Sequence, residues 1–251
     1  MTTIPCRFFA ALAAALSVWA APAAAEEDRD AVVQYSTLGA LERGLFDGAM
    51  TYGEMARYGD FGLGTFNAID GEMLGFGGRF WRIRDDGVPE EVTPETETPF
   101  VALTFFDRDR VFALPPGLDY KALAESLTAG LQSANTPVAV MIHGYFPKLT
   151  IRAPRPKSPP YPTLAEALKD EVVWPLEDQT GTLVGFWFPA WLGQINAPVW
   201  HFHYLSDDHS RGGHVLALTT GEGEVALDPT PRLTVFLPES AAFDGADLSS
   251  R

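Results

Sequence analysis

The 251-residue chain has a single cysteine, Cys6, and none after it. The body of the protein therefore has no disulfide and no thiolate to work with, and must hold together by burial alone. Basic side chains are also scarce. Eighteen Lys and Arg stand against 33 Asp and Glu, for a net charge of −15. That balance argues against nucleic acid or anionic lipid as a partner. It also repels an anionic ligand at long range, so any carboxylate would need a local positive centre such as a metal or an arginine. The simplest reading of the charge is solubility outside the cytoplasm. No repeat of 20–50 residues and no low-complexity segment is present. Histidine is rare too: there are five, and four fall between residues 201 and 214.

The N-terminus carries an address. Arg7 is the only charged side chain before Glu26, and Phe8 to Ala20 is an apolar stretch of thirteen residues. Ala23-Ala-Ala25 follows, then the acidic Glu26-Glu-Asp28. An apolar core of this length is too short to span a bilayer. With small residues after it, it reads as a signal peptide over residues 1–25. The expected mature chain begins near Glu26, loses Cys6 and Arg7, and is periplasmic or secreted. Without Arg7 its net charge moves from −15 to −16. Its length suits one large domain or two intimately packed halves, residues 26–135 and 136–251.

Short strands and a few helices alternate along this length. Thr37 caps a helix with Leu38, Leu41 and Leu45 on one face, and Met50 to Tyr58 suggests another short helix. Gly59 to Trp81 interleaves glycines with aromatic and aliphatic residues, which predicts short strands, tight turns and a bend at Ile69 to Glu72. Arg82 to Thr98 reads as a loop with strand ends, and Phe100 to Phe106 as a buried strand. Asp119 caps a helix with leucines at 123, 127 and 131. Pro137 to Phe146 and Leu149 to Ala153 read as two strands. Five prolines between 154 and 162 make an extended connection, and Thr163 caps a helix to about Glu171. Strands follow at 181–188, 200–205, 214–219, 225–227 and 233–237. The pattern predicts an α+β fold with mixed and antiparallel sheets.

Within it, Trp200-His-Phe-His-Tyr-Leu205 is strand-like, so His201 and His203 point the same way. The polar segment Ser206 to Gly213 reads as a turn, and His214-Val-Leu-Ala-Leu-Thr as the returning strand. Such a hairpin brings three imidazoles together, the donor set of an open metal site that leaves positions for water or substrate. Hydrogen-bonded core histidines are the alternative reading. His209, beside Asp207 and Asp208, is expected in solvent. Glu72, between glycines and apolar residues, is a candidate proton carrier, since apolar surroundings raise a carboxyl pKa. Arg152, in Leu149-Thr-Ile-Arg-Ala153, is a candidate two-point grip on a carboxylate. On local sequence alone, a turn-edge surface glutamate and a solvated strand arginine are the simpler readings of these two.

Four passages together resemble the bacterial alpha-acetolactate decarboxylase family, over roughly residues 33 to 248. They are Tyr35-Ser-Thr-Leu-Gly-Ala-Leu41 with Gly44-Leu-Phe-Asp-Gly48; the glycine-rich run from Gly59 through Asp70-Gly-Glu-Met-Leu-Gly-Phe76; Arg152 with the prolines through Pro160-Tyr161; and His201-x-His203 with Gly212-Gly-His214-Val. The resemblance implies conversion of (S)-2-acetolactate to (R)-acetoin and carbon dioxide. It implies a zinc ion on His201, His203 and His214, with Glu72 near the metal and Arg152 in the active site. It also implies a commonly dimeric α+β protein with sheets in both halves. Members often have a longer tail that supplies a further glutamate, whose place here falls to Glu239, to Asp247 or to no residue. The chemistry suits these residues. A divalent metal acts as a Lewis acid on the enediolate left by carbon dioxide, and Glu72, or a water it orients, returns a proton.

Other functions make different demands. A cupin-type oxygenase shares His-x-His and a later histidine, but wants a glutamate four to six residues after the second, where Asp207 and Asp208 stand. A zinc hydrolase would release no carbon dioxide. A periplasmic metal-binding protein would have no need of Glu72 or Arg152.

Overall fold

A computed structural model describes residues 29–249, so the expected leader, Cys6 and the cleavage point near Glu26 lie outside the described residues. In chain order the elements are β1 (Ala31–Tyr35), α1 (Leu38–Glu42), β2 (Met50–Thr51), α2 (Tyr52–Met55), β3 (Phe61–Thr65), β4 (Glu72–Phe76), β5 (Arg79–Ile83), β6 (Pro89–Glu91), β7 (Glu97–Thr98), β8 (Val101–Thr104), β9 (Arg110–Leu114) and α3 (Tyr120–Ala129). They continue with β10 (Val138–Ala153), α4 (Leu164–Ala167), β11 (Val172–Phe188), β12 (Val199–Ser206), β13 (Gly212–Thr219), β14 (Gly223–Pro229), β15 (Arg232–Phe236) and α5 (Ala241–Asp244). The expected α+β class is correct.

Seven strands form one sheet in the order β15-β1-β8-β3-β4-β5-β6, with β15 parallel to β1. Six form a second sheet, β11-β12-β13-β10-β14-β9, in which β10 also pairs with β11. β11, β12, β13 and β10 thus close into a ring. β9 lies at the edge of the second sheet, while β15 returns to the first.

Local chemistry sets many of these boundaries. Thr37 accepts a hydrogen bond from the Ala40 amide at the start of α1, and Asp119 accepts one from Ala122 at the start of α3. Thr163 and Glu166 form a reciprocal capping box on α4, which satisfies amides that have no partner inside the helix. Gly77 and Gly78, at φ 60° and 76°, make the two-residue turn between β4 and β5, a conformation glycine adopts without steric cost.

The two strands expected at 137–146 and 149–153 are one strand, β10. Pro147 has no register partner in it, and Asp178, across the ladder, takes φ 53°. Register is unshifted on either side, with Phe146 opposite Gln179 and Lys148 opposite Glu177, so the proline sits where a ladder amide is not needed and the strand continues through it. β11 likewise begins nine residues before the expected strand, because it follows β10 along its whole length.

Strand alternation then divides the side chains. One face of the ring points inward, with Phe146, Leu149, Ile151, Phe202, Tyr204 and Val215 packed against Leu123 and Leu127 of α3. The other face stacks on the first sheet. Val184, Phe186 and Leu205 meet Phe61, Leu63, Leu74 and Ile83 there. Each such buried side chain contributes about 1.5–3 kcal/mol relative to exposure. Arg152, His201, His203 and His214 belong to this second face, so the fold places them between the sheets.

Candidate functional site

Register assembles the site. Arg152 on β10 pairs with His214 on β13, and His214 pairs with His203 on β12. Directly paired residues share a face, so arginine and two histidines form a row across the sheet, with His201 two residues along the same face. A bulge between Thr150 and Ile151 brings His214 into line. Gly212 and Gly213, expected to end the turn, instead open β13. A Cβ on Gly213 would stand 2.6 Å from the Arg152 carbonyl oxygen, and its φ is 151°. Only glycine lets the two strands approach at this point.

The three imidazoles converge. His201 Nε2 lies 3.2 Å from His203 Nε2 and 3.0 Å from His214 Nδ1. Among the described residues these three form the one group able to hold a metal, their ligand atoms all within 4.8 Å of one another. His203 Nδ1–H donates to the Met73 carbonyl at 2.7 Å, which leaves Nε2 with its lone pair toward the cluster. Burial, aided by the positive charge of Arg152, pushes His201 down to about 4. Burial also holds His203 and His214 well below the usual histidine range, with His201 and Arg152 adding to the effect. Imidazole nitrogens this close, when both present lone pairs, repel unless a proton or a cation lies between them. Tetrahedral zinc–nitrogen bonds of 2.0–2.1 Å imply nitrogen–nitrogen separations of about 3.3 Å. The donor set and its spacing fit a divalent ion.

Glu72 begins β4, directly after a strained turn. Ala68 and Ile69 take φ 61° and 46°, and Gly71 takes φ 112°. For a β-branched residue such as Ile69 this conformation is costly, of order 1–3 kcal/mol. It is held by Thr65 Oγ1 donating to the Gly71 carbonyl, and by Arg82 and Arg84 donating to Asp70. The result is a buried glutamate, the residue only 8% exposed, with Oε2 3.3 Å from His203 Nε2. Burial raises it to about 7, Arg152 pulling the other way and Glu171 adding to the rise. The surface alternative for Glu72 is thereby removed.

Arg152 is partly buried as well. Its Nη1 donates to Glu171, and its buried Nε has no acceptor. With Glu72 and the three histidines it borders a cavity of about 280 Å³ whose remaining wall is mainly apolar, from Leu38, Leu63, Ile69, Phe100 and Phe186 among others. Val199, at φ 65°, strains the backbone where the chain enters β12. Hence the site combines a metal-competent trio, a carboxyl able to hold a proton near neutral pH, and an arginine with donors to spare.

The other expectations resolve similarly. His209 is exposed in the β12–β13 turn, its ring 5.3 Å from that of Trp81, away from the cluster. Glu239 lines a separate groove with Tyr35 and Glu54, and neither it nor Asp247 borders the histidine cavity. Glu171 was legible only as the end of a helix. Nothing in its local sequence signals a tie to an arginine nineteen residues earlier.

Known proteins share this arrangement of sequence and fold. The family model for alpha-acetolactate decarboxylase matches residues 32–250. The alpha-acetolactate decarboxylase of Methylococcus capsulatus is 39% identical, over 89% of this chain and 85% of its own. That of Bacillus subtilis is 32% identical over 87% and 86%. A crystal structure of alpha-acetolactate decarboxylase from Bacillus subtilis strain 168 superposes with a TM-score of 0.86, covering 88% of this chain and 94% of that one. The match runs from β1 past the end of α5, and includes the strained turn before Glu72, Arg152 and all three histidines; the chain belongs to the alpha-acetolactate decarboxylase family.

Proposed function

We propose that this protein decarboxylates (S)-2-acetolactate to (R)-acetoin and carbon dioxide, and that His201, His203 and His214 hold a zinc ion for the purpose. The observation that carries the reading is the juxtaposition, in one small cavity, of the histidine trio, buried Glu72 and Arg152. It is supported by membership of a family whose relatives bear that activity's name. When bound, the ion supplies Lewis-acid stabilisation of negative charge on the substrate's hydroxyl and ketone oxygens.

The chain's own residues do the rest. Arg152 offers its unspent donors to the substrate carboxylate and supplies the local positive charge that an acidic protein otherwise lacks. Its guanidinium carries five donors in a fixed plane, so it fixes the carboxylate's direction as well as its position. The bond from C2 to the carboxylate breaks, and its electron pair passes to C2 and onto the neighbouring ketone oxygen. Glu72 then returns a proton to C2. Its buried carboxyl keeps that proton near neutral pH, where an exposed glutamate would have lost it. Being fixed on one side of the cavity, it delivers to one face of the planar carbon and so sets the configuration of the product. The apolar wall accepts the two methyl groups and excludes bulk water.

The test is incubation of the purified protein with racemic acetolactate, following carbon dioxide, acetoin and dissolved oxygen together. Equimolar carbon dioxide and acetoin without oxygen uptake supports the reading; oxygen uptake, or no carbon dioxide, overturns it. The same reading includes export after cleavage near Glu26 and assembly as a homodimer. The mass of the exported chain and light scattering of the purified protein check these two points.

A further inference from the structure

Arg152 is not free to orient itself. β10 and β11 pair so that Arg152 stands opposite Val173 and Ala153 opposite Val172. Side chains alternate along the strand, so the residue two before Val173, Glu171, falls on Arg152's face as its diagonal neighbour. Glu171 sits at the joint where the turn Leu168–Asp170 meets β11, its amide donating to the Leu168 carbonyl at 3.2 Å. That joint is itself pinned. Lys157 Nζ reaches Asp170 Oδ1 at 2.5 Å, and Arg155 Nε donates to the Asp170 carbonyl at 3.1 Å while its Nη1 holds Asp85 at 2.7 Å. The Glu171 carboxylate is therefore a fixed post, and Arg152 Nη1 is tied to it.

The tie is partial. Arg152 Nε is buried and meets no acceptor among the described residues. A buried donor left unpaired costs roughly 1–3 kcal/mol, more when it is charged. The surrounding protein supplies no acceptor at Nε, and the open space Arg152 borders is the cavity. A long guanidinium side chain released from Nη1 would have another carboxylate within electrostatic reach, Glu72, and would spend its donors there.

We propose that Glu171 is a positioning residue for the reaction: by holding Arg152 Nη1 from outside the cavity, it keeps the guanidinium's remaining donors available to the carboxylate of a small 2-hydroxy acid. The proposal rests on the acetolactate reading of the cavity. It assigns Glu171 no contact with substrate, since it does not border the cavity. What matters is an oxygen acceptor at the right reach, and its negative charge is secondary.

Three variants separate these roles. Glu171→Ala removes the post. Glu171→Gln keeps an acceptor oxygen at the same reach without the charge. Glu171→Asp keeps the charge and shortens the reach by about 1.5 Å, one carbon–carbon bond. The probes, for the metal-loaded protein, are 2-hydroxy-2-methylpropanoate, which has no ketone and cannot decarboxylate, and its neutral amide. Titration calorimetry reads each affinity. In Glu171→Ala and Glu171→Asp the acid should bind at least tenfold more weakly than in the wild type, with the amide within twofold. Glu171→Gln should bind both within threefold. The KM for acetolactate should follow the acid's affinity, with kcat changing less.

A merely structural Glu171 would move acid and amide together, and that result overturns the proposal. Unchanged acid binding in Glu171→Ala, or rescue by Asp and not by Gln, overturns it as well. If Glu171→Ala does not fold, the Gln and Asp variants decide by the same criteria. A wild-type protein that binds neither probe and does not consume acetolactate overturns the reading of the cavity itself; a wild type that does both while the variants match it overturns the role of Glu171 alone.

Discussion

Replacing Glu72 with glutamine should make the metal-stripped protein more stable and the loaded enzyme far less active. Burial lifts the Glu72 carboxyl from 4.5 to about 7. A carboxyl whose folded pKa lies above its unfolded value adds nothing at pH values below both, and costs stability progressively as pH rises from 4.5 through 7. A shift of this size is worth roughly 3 kcal/mol once pH exceeds 7, and roughly 1 kcal/mol at pH 5. Glutamine has nearly the same size and ionises at no pH, so it escapes the penalty. Urea unfolding of both proteins in chelator, at pH 5 and pH 8, should therefore show the variant gaining roughly 1 kcal/mol at the lower pH and roughly 3 kcal/mol at the higher. Burial holds the three histidines neutral in the folded protein at both pH values, and their titration in the unfolded chain is common to the two proteins. Equal gains at the two pH values, or a loss at pH 8, would refute the claim that Glu72 is held against its own ionisation. Stability gained where activity is lost is the expected mark of a group kept for chemistry.

Alanine at His201, His203 or His214 should each remove most bound metal by elemental analysis, because an open site has only three protein anchors, whereas His209→Ala should retain it. Arg152→Lys keeps the charge but not the planar fork; with metal content unchanged, acetoin formation should fall roughly 100-fold or more, the scale of a lost electrostatic group. Burial keeps His201 neutral down to about pH 4, so protons should compete with the metal only well below the usual histidine range. Metal content after dialysis should hold at pH 5.5 and fall toward pH 4, and loss already at pH 6.5 would count against buried ligands.

Much of the site could be read before the fold was known, for reasons that differ by residue. His201 and His203 were legible from period-two alternation, and His214 from a returning strand after a polar segment. What the sequence hid was register. The bulge at Thr150/Ile151 and the close approach at Gly213 put His214 opposite Arg152, and both depend on a partner strand sixty residues away. The same applies to Gly212-Gly213, whose pattern suggests a turn but whose use is contact between strands. Glu72 was ambiguous because its burial comes from the second sheet, through His203 and the Met73 carbonyl. Caps were read reliably, since Thr37, Asp119 and Thr163 bond to amides three residues on. β9 and the unbroken length of β10 are not legible: Arg110-Val-Phe-Ala-Leu114 is a short edge strand with no alternation of apolar and polar residues, and Pro147 looks like a break although the β10–β11 register runs through it unshifted.

The most direct test of the account is the fate of racemic acetolactate with the metal-loaded wild type beside Glu72→Gln and Arg152→Lys of equal metal content, scored by chiral chromatography of the acetoin. The account predicts that the wild type consumes the (S) substrate and releases one carbon dioxide per (R)-acetoin. It predicts that both variants slow this roughly 100-fold or more, and that Glu72→Gln yields acetoin of lower enantiomeric purity. Near-normal rates and unchanged product configuration in both variants would contradict it, because the ion would then be working without the two residues that the fold places beside it.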